Sequence, residues 1–211
     1  MRMSRLEKGL VNRPEKGAAN VRRIASQIER LRLPAGSRAL EVGCGIGDVA
    51  RHLAVDHGFE VVGTDSDPEQ IELARQRHAG VPGFPRLSFA VADATQLRFP
   101  DAHFDLVVSQ NVFHHVPAWP DAVEEIARVL RPGGHLFWLD LTTPVWTHPW
   151  LRPLGSQVGL YSQREIRDAF LAAGLAERDV RRLARGLRYE MTWRKLGRPD
   201  GGAGQGGAGE P

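Results

Sequence analysis

The chain has 211 residues, 42% apolar and 25% charged, with a net charge of +3, which suits one globular domain with a single substantial core. One cysteine, Cys44, excludes an internal disulfide or a cysteine-rich metal site. No run approaches the ~18–20 apolar residues of a membrane span, and residues 1–16 lack the apolar stretch of a secretion signal, so a cytoplasmic location is expected.

Charge is distributed unevenly: residues 1–40 carry 10 basic and 3 acidic side chains, 41–140 carry 7 and 15, and 141–211 carry 11 and 7. Basic ends could attract an anionic substrate, RNA or a membrane surface, but arginines interleaved with acids are more simply solvated faces. Arg178, Arg181, Arg182, Arg185 and Arg188 lack interleaved stacking aromatics, so no nucleic-acid partner is expected, while an anionic acceptor stays open.

Val21, Ile24, Ala25, Ile28 and Leu31 recur at helical spacing among Arg and Glu, predicting an amphipathic first helix. Five short apolar runs follow, at 38–42, 60–64, 87–91, 104–109 and 135–140, continuous enough for strands buried on both faces of a parallel sheet. Helices separate them. Asp67-Pro68-Glu69-Gln70 offers a cap, a proline at the first helical position and a Gln70 to complete a capping box. A helix from Pro120 buries Val123, Ile126, Ala127 and Leu130 and stops at Arg131-Pro132-Gly133-Gly134; a second box, Ser162 to Glu165, opens a helix that ends at Gly174. Strand-like runs at 177–183 and 187–193, joined by Ala184-Arg185-Gly186, would finish the sheet antiparallel. Residues 197–211, rich in glycine and with nothing to bury, read as a disordered tail. The organisation expected is a helical extension over 1–36, a domain over 37–196 and that tail.

Strand and helix alternation implies right-handed crossovers and an α/β, doubly wound, Rossmann-like sheet, with ligands beyond the carboxyl ends of the strands. The chemistry-bearing residues fall there. The first strand runs into Glu41-Val42-Gly43-Cys44-Gly45-Ile46-Gly47-Asp48, a glycine-rich turn opening a helix, suited to close approach and to a carboxylate or phosphate. Such a turn alone also serves tight packing. Asp65, followed by Ser66, ends the second strand where two ribose hydroxyls would lie, and Asp93 with Ala94 ends the third where an adenine amine would lie.

Glu41 to Gly47, Asp65, Asp93, the run Phe104 to Ser109 and the Arg131 to Gly134 turn resemble, in order, the motifs of class I S-adenosylmethionine (SAM) dependent methyltransferases. The likeness spans about 38–193. It implies a seven-stranded sheet with the last strand antiparallel, and SAM as cofactor. Residue by residue, it implies Gly43, Cys44, Gly45 and Gly47 around the methionine part, Asp65 and Ser66 at the ribose, Asp93 and Ala94 at the adenine, and Gln110 and Asn111 beside the methyl group. The segment Asn111 to Val116 resembles the compact small-molecule enzymes of that group, so a small-molecule acceptor is expected, the accepting atom being oxygen, carbon or nitrogen.

Two rivals stand beside this reading. Gly45 to Ala50 satisfies the loose dinucleotide pattern of an NAD(P)-dependent oxidoreductase, against which weigh Glu41, Asp93, the terminal hairpin and the lack of a Tyr-x-x-x-Lys pair. A non-catalytic SAM-binding module would share the loop and the acids.

An acceptor hydroxyl or acidic carbon needs a base, and His114 and His115 are the imidazoles at hand, with main-chain hydrogen bonding an equal alternative for the pair. On an extended segment these neighbours would diverge, and no His, Asp and Glu spacing makes a metal site, so no metal is expected. Cys44 reads as packing beneath the cofactor. Residues 141–161, with Trp146, His148, Trp150 and Tyr161, read as a substrate lid, and the resemblance implies that basic residues of the first helix, Lys16 and Arg13 among them, close over the cofactor.

Overall fold

A computed structural model describes residues 14–80, 86–144, 159–184 and 187–197. Its centre is a seven-stranded sheet made of β1 (Arg38–Val42), β2 (Glu60–Asp65), β3 (Leu87–Val91), β4 (Phe104–Gln110), β5 (Leu130–Leu141), β6 (Leu175–Leu183) and β7 (Arg188–Lys195). The strand order is β3-β2-β1-β4-β5-β7-β6. Strands β1 to β5 pair in parallel, and β7 runs antiparallel to both β5 and β6. The sheet is that of the expected class. Insertion of a reversed β7 departs from the all-parallel dinucleotide-binding order and weighs against the oxidoreductase reading.

Among the described residues five helices cover the two faces: α1 (Pro14–Leu31), α2 (Asp48–Asp56), α3 (Pro68–His78), α4 (Trp119–Val129) and α5 (Gln163–Ala172). The two-residue period of the strands sorts the core into two layers. Leu106, Val108, Phe137 and Leu139 pack beneath α1, α2 and α3, whereas Val107, Leu136, Trp138, Met191 and Trp193 pack beneath α4 and α5. Helix α1 is seated by Ile24 and Ile28, at 0% and 3% exposure, a burial that contributes about 1.5–3 kcal/mol per side chain. No helix of the described residues is long and apolar enough to cross a membrane.

Two expectations change in detail. Strand β5 begins at Leu130, five residues early, because Leu130 already pairs with Phe104 and a register shift between Phe104 and Leu106 absorbs the Pro-Gly-Gly turn. Gly134 permits this: a Cβ there would lie 2.9 Å from the Arg131 carbonyl oxygen and 3.1 Å from that of Phe104. Asp67 caps α3 by accepting from the Glu69 N–H at 3.0 Å, but Gln70 does not complete a box. The Asp67 N–H is taken by Asp65 at 2.9 Å, and Gln70 is fully buried. The Ser162 to Glu165 box forms in both directions. The turn at 185–186, the tail from 198, Arg13, and residues 145–158 of the expected lid lie outside the described residues.

Candidate active site

The glycine-rich turn between β1 and α2 is held by backbone and carboxylates together. Gly43 has φ +73, and a Cβ on it would lie 2.1 Å from a methyl of Val112, so both conformation and space require glycine. The Cys44 N–H donates to the Thr64 carbonyl at 2.8 Å, and the Gly45 N–H donates to Asp65 Oδ2 at 3.0 Å. Gly47, the residue before α2, has no side chain with which to cap that helix. Glu41 does so from the neighbouring strand, accepting the Ala50 N–H at 2.7 Å. Burial raises the Glu41 carboxyl well above its usual range, opposed by the Ala50 hydrogen bond. Burial likewise raises the Cys44 thiol, with Glu41 and Asp65 adding to it, and the side chain packs into the core layer beneath α1, α2 and α3.

Asp65 is 9% exposed. Its two oxygens accept from Gly45 and from Asp67, and burial raises its carboxyl against those bonds. Asp93, on the rim, is exposed and accepts from the Thr95 N–H at 2.9 Å and the Thr95 hydroxyl at 2.8 Å, leaving its other oxygen out of that turn.

Beyond β4 the chain turns at Asn111, with φ +60, into a single 3-10 turn, Phe113–His115. This corrects the expected divergence: on the turn the rings of His114 and His115 lie 4.0 Å apart. His114 Nδ1 is hydrogen-bonded to Asp140 Oδ1. Asp140 ends the buried part of β5 at 0% exposure and accepts from the backbone N–H groups of Val112 at 2.8 Å, Phe113 at 2.6 Å and Leu141 at 2.7 Å. With three N–H donors already on it, the carboxylate serves as acceptor towards Nδ1–H, which in the neutral ring leaves Nε2 as the lone-pair nitrogen of His114.

These parts surround one cavity of about 670 Å³. Its wall includes Glu41, Gly43, Cys44, Gly45, Asp65, Ser66, Asp93, Ala94, Gln110, Asn111, His114 and His115. Gly47 does not line it; φ +81 and a Cβ position 2.6 Å from the Phe89 ring account for that glycine. Lys16 lines the cavity from α1, together with Arg23. Helix α1 crosses the site, with Gly17 against Asp48, the Asn20 carbonyl accepting from Gln110 at 3.5 Å, and Gln27 donating to Glu190 at 3.1 Å. Sequence reasoning missed Asp140, Arg23 and Arg188. The strand-end rule that singled out Asp65 and Asp93 also selects Asp140; nothing comparable marks the two arginines. Among the described residues no group of three or more His, Cys, Asp or Glu could hold a metal.

Residues 40–138 match a family described as a methyltransferase domain. A 2-methyl-6-phytyl-1,4-hydroquinone methyltransferase of Synechocystis is 42% identical over 108 residues, 51% of this chain and 33% of that protein. A phthiotriol/phenolphthiotriol dimycocerosates methyltransferase of Mycobacterium leprae is 37% identical over 143 residues, 67% of this chain and 51% of that protein. The chain thus spans a third to a half of the length of these relatives. In fold it is similar to Phospholethanolamine N-methyltransferase 2 of Haemonchus contortus, solved with phosphomonomethylethanolamine and S-adenosylhomocysteine (TM-score 0.69, 18% identity, covering 82% of this chain and 52% of that one). In its ordered motifs, its reversed β7 and its matching residues 40–138, the chain is similar to the class I methyltransferases.

Proposed function

We propose that the protein transfers a methyl group from SAM to a small-molecule acceptor. The observation that carries this reading is one cavity lined both by the Gly43 to Gly45 turn with Asp65 and by His114, which Asp140 backs. Relatives named for a 2-methyl-6-phytyl-1,4-hydroquinone and for phthiotriol/phenolphthiotriol dimycocerosates support an acceptor that is not a macromolecule, and Val112, Val116 and Leu141 in the wall support one with an apolar part.

The residues present suit SAM. A Cβ at Gly45 would meet nothing within 4 Å, so the turn offers bare backbone to the cavity, and the Gln110 side-chain oxygen is buried without a partner among the described residues. Asp65 and Ser66 would hold the ribose, Asp93 and Ala94 the adenine, Gly43 to Gly45 the methionine part with Lys16 near its carboxylate, and Gln110 and Asn111 the methyl end. When bound, SAM supplies an electrophilic methyl group on a sulfonium, so the protein's work is alignment and exclusion of water.

For a hydroxyl or acidic-carbon acceptor, His114 takes the proton at Nε2. Asp140 fixes the tautomer and stabilises the imidazolium that results, the role a buried carboxylate plays behind a catalytic imidazole. The test is calorimetric titration with SAM, S-adenosylhomocysteine (SAH) and NADH, repeated on Asp65→Asn. Binding of both sulfur ligands, weakened about 10- to 100-fold in the variant through lost charged hydrogen bonds, is expected. NADH binding with neither sulfur ligand bound refutes the reading. SAM binding without turnover on any acceptor class would leave a binding module.

A further inference from the structure

We infer that the acceptor carries an anionic oxyacid group, a carboxylate or phosphate, which Arg188 and Arg23 hold at the β7 end of the cavity. The inference rests on the methyltransferase reading and names the substrate class of that same site.

Arg188 is the first residue of β7, in register with Leu141, and both line the cavity with Arg23. The Arg188 guanidinium donates to Asn111 Oδ1, while its Nε–H is buried with no partner among the described residues. Three other arginines have carboxylate partners: Arg167 with Glu177 at 2.7 Å, Arg30 with Asp179 at 3.7 Å, and Arg181 with Asp179 at 3.4 Å and Glu190 at 3.7 Å. Neither Arg188 nor Arg23 has such a partner among the described residues. Asp140 exerts an attraction on Arg188, but its oxygens are already occupied by His114 and three N–H groups. Burial, and then the charge of Arg23, lower the Arg188 pKa.

A half-buried guanidinium facing a like charge and an open hydrogen-bond donor is unfavourable unless an anion completes it. Bidentate oxyacid recognition is what the guanidinium fork does best. The cofactor's own carboxylate is the competing source of that anion. Lys16 stands with Gly17 beside Asp48, at the glycine-turn end. Arg23, seven residues further on, lies about 10 Å along the helix from Lys16. The arginine pair is therefore a second anion subsite, in a cavity that Val112, Val116 and Leu141 also line.

The test uses the full chain loaded with SAH and titrated with decanoate, 4-hydroxybenzoate and phenyl phosphate, each against a neutral counterpart: decanamide, 4-hydroxybenzamide and phenol. At least one anion should bind about tenfold or more tightly than its neutral partner, an advantage that Arg188→Gln and Arg23→Gln each remove and that added salt weakens. SAH affinity of Arg23→Gln should stay within about twofold of the parent, while Arg188→Gln, which also loses its bond to Asn111, should weaken SAH and 5′-methylthioadenosine alike. Neutral probes binding as well as anions, or no anion binding at millimolar concentration, overturns the inference. So does a variant that loses SAH affinity but keeps that for 5′-methylthioadenosine, since the arginines would then serve the cofactor's carboxylate. Failure of SAH to bind the unsubstituted protein is seen before any anion is added, and removes the underlying methyltransferase reading instead.

Discussion

Replacing Asp140 by Asn tests the proton-transfer assignment at its most constrained point. The Asp140 side chain is 0% exposed, with Oδ2 accepting from Val112 and Phe113 and Oδ1 from Leu141 and from His114 Nδ1. In Asp140→Asn the amide oxygen can keep the first two bonds. The amide nitrogen then faces the Leu141 N–H and donates to Nδ1, driving the ring proton to Nε2, where the acceptor's proton should go. One N–H left facing a donor and a charged bond lost cost about 2–4 kcal/mol of stability, short of the 5–15 kcal/mol of a typical domain. Turnover on a hydroxyl acceptor should fall about 10²- to 10⁴-fold, since the ring is held in the wrong tautomer. The tautomer is readable without knowing the acceptor, from two-bond nitrogen–proton correlations of the histidine rings in the SAH complex. A protonated Nδ1 in the parent and a protonated Nε2 in the variant are expected, with SAH affinity little changed. Unaltered His114 correlations with unaltered turnover would falsify the dyad.

Gly43→Ala combines a left-handed φ of +73 with a Cβ 2.1 Å from Val112, so about 2–5 kcal/mol of stability should be lost, lowering the melting temperature by roughly 5–15 °C; a melting curve matching the parent's refutes the close approach. Glu41→Gln keeps an acceptor for the Ala50 N–H but removes the buried charge. The parent's Glu41 retains its proton above the ordinary value of 4.5, so the native state binds more protons there than the unfolded chain, and stability falls as pH rises through that interval and stays low above it. The variant should gain on the parent as pH rises, read from urea midpoints across pH, and parallel profiles count against a strained carboxylate.

The parallel half of the sheet was legible because buried parallel strands are continuous apolar runs and their carboxyl ends share one edge, which is how Asp65 and Asp93 could be named together. The same edge holds Asp140, yet in His135 to Asp140 the acid looked like the terminus of an apolar run, and only the turn at Val112 and Phe113 reveals what it holds. Arg188 was hidden for a topological reason. Because β7 runs backwards between β5 and β6, it presents its beginning at the edge where its neighbours present their ends. A strand's first residue carries no distinguishing pattern in an arginine-rich stretch. Gln70 shows the converse: the local rule for a capping box was satisfied in sequence, but Asp65, two residues before Asp67 at the end of β2, had already taken the N–H it needed.

The turn after β1 is fixed at three points by the protein itself, through Thr64 to Cys44, Asp65 to Gly45 and Glu41 to Ala50. A turn so prearranged spends little ordering entropy on its ligand. What it gains, it gains for the cofactor and for its demethylated product alike, since they differ by a methyl group and a sulfonium charge. Discrimination between the two is then weak, and occupancy follows their concentration ratio. Under the methyl transfer proposed above, such a site is throttled when product accumulates, and its rate would report how quickly the surroundings clear that product away.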